Sequence, residues 1–358
     1  MTKKHPYIDN PDYTFWDRAI SENAVGEINP TFGMSPLRLS SSDAVMTMGS
    51  CFAQHVSQRL SKVGLNFLVS ENHPQNIVLN AEGAYGVFTA RYGNIYTIAQ
   101  ALQLLKRCLG QFKGGDIWTY KSNYIDSFRP RAVPGGFESE ESLVADRQRH
   151  LQATLRGFQT AQVLVFTLGL TEGWKNLETG QIYAIAPGVI GGEFNANLHH
   201  AFNMSMHQSF SDLDELVKLL KTVNPTLKII LTVSPVPLAA THTGKHVLVA
   251  TFSGKAKLRV VAEEVSQANK NVDYFPSYEI IQGLAQAGRY YKSDLHEVET
   301  RGVDHIMRVF FNHYYDEFSI SDTAILSASS SQEIKNAEIL CDDEIFFRTN
   351  DQNNSNLQ

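Results

Sequence analysis

Apolar residues in this chain fall into two alternating rhythms. Short, mainly apolar runs at residues 43–48, 65–69, 162–168, 227–233 and 272–275 are bounded by turn formers and rich in Val, Ile, Leu, Met or Phe. That is the pattern of parallel strands buried on both faces. Between the runs, apolar positions recur at helical spacing. Phe52, Val56, Leu60 and Val63 share one face of a helix over residues 51–64, and Tyr96, Ala99, Leu102, Leu105 and Leu109 do so in a second. Residues 143–158, 213–223 and 254–269 complete the set. Ser211 followed by Asp214, with Asp212 in the first turn, reads as a helix start. Strand–helix alternation of this kind predicts a doubly wound α/β sheet, with ligands bound beyond the carboxyl ends of the strands.

Two stretches break the rhythm. Residues 113–137, with Gly114-Gly115, Arg129-Pro130-Arg131 and Pro134-Gly135-Gly136, predict an inserted loop or hairpin. Residues 173–210, with Glu178-Thr179-Gly180-Gln181, Gly191-Gly192 and His199-His200, predict a second insertion above the sheet. Long insertions there commonly build a substrate pocket. The sequence predicts an N-terminal arm at 1–40 packed on the domain, an α/β domain at 41–320, and a polar, mobile tail at 321–358. Ile345-Phe346-Phe347 reads as a docking segment within that tail.

Composition narrows the function class. With 358 residues there is ample material for a large core. The net charge of −6 and pI near 6.1, without a Lys/Arg stripe, argue against nucleic-acid binding. Cys51, Cys108 and Cys341 have neither disulfide nor zinc spacing, so a reducing compartment fits best. The start of the chain lacks a signal-peptide core and no apolar run approaches a transmembrane length, so a cytoplasmic location is expected. Oligomeric state leaves no trace in the sequence.

The chemistry-bearing residues gather at strand ends. Met48-Gly49-Ser50-Cys51-Phe52-Ala53 places a hydroxyl and a thiol where a strand meets a helix, next to backbone N–H groups that can stabilise an oxyanion. Thr167-Leu168-Gly169-Leu170-Thr171-Glu172-Gly173-Trp174 follows the third strand. Asp294-Leu295-His296, then Gly302 and Val303-Asp304-His305-Ile306-Met307, supplies a carboxylate and two imidazoles. A nucleophile, a base and oxyanion donors are the set that acyl transfer needs. Metal chemistry is not expected: His199-His200 and His242-x-x-x-His246 lack Cys or carboxylate partners at diagnostic spacing. Ser253-Gly254-Lys255 could hold an anionic group at a helix start, but a solvated basic face formed with Lys257 and Arg259 is the better account of it. A redox role for Cys51 lacks a resolving cysteine nearby.

The string Gly49-Ser50-Cys51-Phe52-Ala53 resembles the signature of the GSCFA-domain family. The segments 167–174, Thr232-Val-Ser-Pro-Val-Pro237 and Tyr274-Phe-Pro-Ser-Tyr-Glu-Ile280 resemble it too, over roughly residues 35–320. That family is similar to SGNH/GDSL esterases and acyltransferases. The resemblance implies a three-layer α/β/α, flavodoxin-like parallel sheet of about five strands. It also implies an acyl-ester hydrolase or O-acyltransferase acting on a glycan or polysaccharide acyl (acetyl) ester. No cofactor is implied, beyond an acyl donor such as acetyl-CoA for transfer. Ungapped matching to the Gly-Asp-Ser block puts Cys51 at the nucleophile, and a one-residue shift puts Ser50 there. Gly169, Thr171 and Glu172 match the Gly-x-Asn-Asp block, with Thr171 in the place of the oxyanion-donating Asn. The second-block Gly matches Gly83 or Gly86, or the polar loop at 72–76. His296 matches the base, with Asp294 to orient it, and His305 is the rival base. The alternative is a catalytically silent glycan- or protein-binding module.

Overall fold

The computed structural model describes residues 5–34, 36–73 and 84–316. The segment Ile345-Phe346-Phe347 with the rest of the tail, Gly83, and residues 74–76 of the polar loop lie outside the described residues. In chain order the elements are β1 (Val45–Gly49), α1 (Phe52–Lys62), α2 (Ile98–Cys108), β2 (Ile117–Tyr120), β3 (Asn123–Asp126), α3 (Glu140–Thr160) and β4 (Val163–Leu168). They continue with β5 (Glu172–Asn176), β6 (Ile182–Tyr183), β7 (His199–Asn203), α4 (Met206–Val223), β8 (Lys228–Val233), α5 (Val247–Ala268), β9 (Val272–Tyr274), α6 (Ser277–Gln282) and α7 (Thr300–Tyr314).

The central sheet runs β1-β4-β8-β9, every pair parallel. The run at 65–69 adds only one bridge, Phe67 to Val45, on the free side of β1. It leaves the ladder because the Phe67 N–H turns back to the Leu65 carbonyl at 2.8 Å. With that rudiment included, the spatial order in chain-order numbers is 2-1-3-4-5, the flavodoxin-like winding. The order reverses between β1 and β4, and the crevice at their carboxyl ends is where such sheets bind ligands.

Strand residues alternate between two cores. Met46, Met48, Leu164, Phe166, Ile229 and Leu231 pack with α2, α4 and α5, whereas Val45, Val163, Val165 and Ile230 pack with α1, α6 and α7. Burial on both faces explains why these strands read as continuous apolar runs. The arm fastens to the second layer, where Val25, Gly26 and Ile28 offer carbonyls to Tyr290, Arg308 and His305.

Two helix boundaries differ from the sequence reading. α4 begins at Met206, not beyond Ser211, because Ser205 and Gln208 form a reciprocal capping box with bonds of 3.1 and 3.0 Å. α5 begins at Val247, capped by the His246 ring. Its first turns carry exposed Leu248, Val249 and Phe252, which hid the helical stripe. The segment 113–137 is the antiparallel hairpin β2–β3, and 173–210 contains a separate antiparallel sheet, β6-β5-β7.

A buried ionic cluster ties the hairpin to α3. Asp126 accepts from Arg129 and Arg147, Asp146 from Arg91 and Arg129, and Glu71 pairs with His150 at 2.7 Å. Burial works against the Glu71 charge, yet His150 and Arg129 hold its carboxyl down to about 2. Burial, aided by neighbouring arginines, keeps three imidazoles neutral: His150 falls to about 4, His55 to about 3 and His313 to about 4. An unfolded chain protonates these histidines near 6.5 while the native one refuses the proton, so stability must fall as pH drops from about 6.5 toward 4. Urea midpoints should therefore be clearly lower at pH 5 than at pH 7. Equal midpoints would contradict this burial.

Candidate active site

β1 ends in a turn that only glycine permits. Gly49 has φ +144°, and a Cβ there would lie 2.4 Å from the Thr167 carbonyl oxygen. Strand β1 can therefore press against β4 and turn at once into α1. Ser50 sits in that turn, and Cys51 precedes the first helical residue with φ −50° and ψ −30°. Both are buried. Among the described residues the Ser50 Oγ has no hydrogen-bond partner. Thr47 and Thr167 hydroxyls share that condition, but they lie within the strands, and Ser50 alone of the three stands past a strand end. A buried hydroxyl left unpaired costs about 1–3 kcal/mol, which asks for a reason.

Gly169 lies just beyond β4, on the other side of the same crevice. A Cβ at 169 would stand 3.0 Å from Ser50 Cβ and 3.0 Å from the Tyr96 carbonyl oxygen. The absence of a side chain is what brings the two strand ends together. Gly169→Ala should lower unfolding free energy by about 1–3 kcal/mol through this crowding, and a denaturation midpoint no lower than wild type would contradict the packing. The Leu170 N–H donates to Tyr96 O at 2.7 Å, while the Ile95 N–H donates to Gly49 O at 2.7 Å. The loop 92–97 is thus laid across both strand ends. Within it, Asn94 accepts from Gln54 at 3.1 Å and donates to the Tyr96 hydroxyl at 3.2 Å.

A cation reaches this point from α5. Lys255 is 2% exposed and donates from Nζ to the Gly169 carbonyl at 2.8 Å. It occupies the inward stripe of α5, between Thr251 and Leu258, where the rest of the stripe is small or apolar. One residue earlier, Gly254 passes so close to Thr171 that a Cβ would lie 3.1 Å from its Oγ1. Thr171 is therefore packed against α5.

His296 comes from the loop between α6 and α7. The backbone of Pro237, which ends the Thr232–Pro237 segment beyond β8, acts on its ring and favours the imidazolium. Burial lowers its pKa, Asp294 and Glu297 oppose the shift, and Lys255 adds to it, so the imidazole is neutral near pH 7. Gly169 packs against Ser50, Lys255 holds the Gly169 carbonyl, and the Lys255 charge acts on His296.

Two expected residues have other work. Asp294 Oδ1 accepts the backbone N–H groups of His296 and Glu297 at 2.9 and 3.1 Å. It closes a turn in which Leu295 has φ +53°. His305 is buried with both nitrogens engaged, Nδ1 with the Tyr290 hydroxyl and Nε2 with Ile28 O, each at 2.8 Å. It ties α7 to the arm and has no nitrogen left for a hydroxyl.

The other singled-out residues shape the surroundings. Glu172 accepts from the Thr241 hydroxyl at 3.0 and 2.9 Å and from the His242 N–H, and so anchors the loop after β8. His199 accepts the Asn195 N–H at 3.0 Å, and His242 stacks near Trp174 at 4.9 Å between ring centroids. Among the described residues no group of three or more His, Cys, Asp or Glu side chains is placed to hold a metal, and no helix is long and apolar enough to cross a membrane. Asn94 was not singled out from the sequence, and Lys255 is buried rather than part of a solvated basic face. A charged residue on an otherwise inward-facing helical stripe was the available signal for Lys255. For Asn94 it was the turn dipeptide Gly93-Asn94, where Gly93 has φ +71°.

The fold is that of a three-layer α/β/α protein, with the switch point of its parallel sheet between β1 and β4. The sequence profile of the GSCFA family matches residues 44–310, and the chain belongs to that family. No curated protein matches the sequence. Solved structures similar to it include a protein described as a GDSL-like lipase from Parabacteroides merdae. That one is 13% identical, covers 78% of this chain and 98% of its own, and has a TM-score of 0.34. A family 3 carbohydrate esterase from Clostridium thermocellum is 12% identical over 76% of this chain and 94% of its own, with a TM-score of 0.27.

Proposed function

We propose that this protein is an acyl-ester hydrolase or O-acyltransferase of SGNH type that works through a covalent acyl-enzyme. The observation that carries the reading is the buried, unpartnered Ser50 hydroxyl at the strand–helix turn, pressed against Gly169 at the switch point. Ser50 Oγ attacks the acyl carbonyl and passes its proton to neutral His296, on whose ring the Pro237 backbone acts. Carbonyl addition puts negative charge on the former carbonyl oxygen. Backbone N–H groups opening α1, with Thr171 and the Asn94 amide as further donors, stabilise it. Protonated His296 returns the proton to the leaving alkoxide, and water or an acceptor hydroxyl then releases the acyl group. A glycan acyl ester is the substrate class implied by the family resemblance.

Mass spectrometry after exposure to an acyl-ester probe tests this: an adduct on Ser50 supports the mechanism, and no adduct on Ser50 or Cys51 at any pH removes it. A silent binding module is the second reading, favoured by Thr171 at the usual Asn position and by Asp294 closing its own turn. It predicts glycan binding without turnover by the intact protein.

A further inference from the structure

Beside the cluster a cleft of about 200 Å³ opens between the turn after β4, the β6-β5-β7 sheet and the loop after β8. It begins at Leu170, the residue after the Gly169 that touches Ser50. Its walls are largely apolar, formed by Leu170, Trp174, Ala184, Phe202, Leu238 and Ala239. Trp174 is flanked edge-on by Phe194 at 5.5 Å and by the His242 ring, which fixes the indole as one wall. The residue opposite Trp174 across the β5–β7 ladder is Ala201, and a side chain this small leaves space open beside the indole. The polar lining groups are engaged with one another: Glu172 takes the Thr241 hydroxyl and the His242 N–H, and Thr241 also meets Thr243 at 2.8 Å.

We infer that this cleft is the acyl-chain subsite, shaped for a linear chain of roughly six to eight carbons if a methylene occupies about the volume of one water. This deepens the ester-cleaving reading and rests on it for the chain's attachment to Ser50. Sugar rings need hydroxyl partners, and the Glu172 carboxylate and the Thr241 hydroxyl here already have theirs. An alkyl chain asks only for removal from water, which the aliphatic and aromatic walls supply. The chain enters at Leu170, next to the carbonyl under attack, and its far end runs between Trp174 and the loop after β8.

Titration of the intact protein with sodium octanoate, followed by tryptophan fluorescence, tests the assignment without requiring turnover. A saturable change is expected, lost in Trp174→Phe, with affinity falling about three- to fourfold for each methylene removed from octanoate to butyrate. Ala239→Phe, on the half-exposed loop, should weaken octanoate at least tenfold, and Ala201→Leu gives a second, more conservative blockade of the same space. No saturable change with octanoate, affinity indifferent to chain length, or a response to maltohexaose in its place would overturn the subsite. Hydrolysis of p-nitrophenyl esters is measured in parallel. Chain-length-dependent binding without hydrolysis upholds the cleft and removes the esterase reading. Hydrolysis indifferent to chain length and to Ala239→Phe does the reverse.

Discussion

Ser50→Ala is expected to abolish labelling by an acyl-ester probe and to lower kcat/KM for ester cleavage by about 10³-fold or more. The same substitution should leave thermal stability unchanged or slightly raised. The two effects have one cause. The hydroxyl is buried without a partner, so the folded protein carries an unsatisfied polar group that Ala removes. Active sites commonly hold such unfavourable groups, and removing them stabilises the fold while ending the chemistry. Cys51→Ala is the comparison. Its thiol is buried at the start of α1, and its removal should cost stability through lost packing while preserving labelling at Ser50. Labelling that survives Ser50→Ala and disappears in Cys51→Ala would transfer the proposed nucleophile to the thiol.

Lys255→Met should reduce kcat by about 10²-fold and move the acid limb of the pH–rate profile upward. The charged and titratable groups acting on His296 are Asp294 and Glu297 from its own loop and Lys255 from α5. The carboxylates favour the imidazolium and Lys255 disfavours it, so removing the cation raises the imidazole pKa. More acid-side rate is then lost, because the proposed base must be neutral to accept a proton. The Gly169 carbonyl also loses its donor, at a cost of about 1–3 kcal/mol. A purely structural lysine would lower kcat without displacing the limb. An unmoved limb would therefore confine Lys255 to holding the turn.

Much of the architecture was legible because burial on both faces writes strands as plain apolar runs, and four of the five runs became full strands. The fifth failed for a local reason, the Phe67 N–H turning back on Leu65, which hydrophobicity does not encode. Helix starts were read late where the first turns lie in solvent or where the cap was an overlooked Ser-x-x-Gln box. At the site, Ser50 and Gly169 could be read as neighbours because both follow strands of one parallel sheet. The partners of the histidines could not. His305 and His296 look alike in sequence, and only the arm carbonyl at Ile28 and the loop backbone at Pro237 separate them. Main-chain acceptors have no letter in the sequence.

Main-chain groups limit how the protein can be dissected. The Pro237 group that acts on the His296 ring belongs to the polypeptide backbone, so no side-chain exchange at position 237 deletes it. An alanine scan would pass over the tether, and drift at that position would leave it intact. Only a shift of the main chain itself, by inserting or removing a residue between β8 and α5, would set the ring adrift.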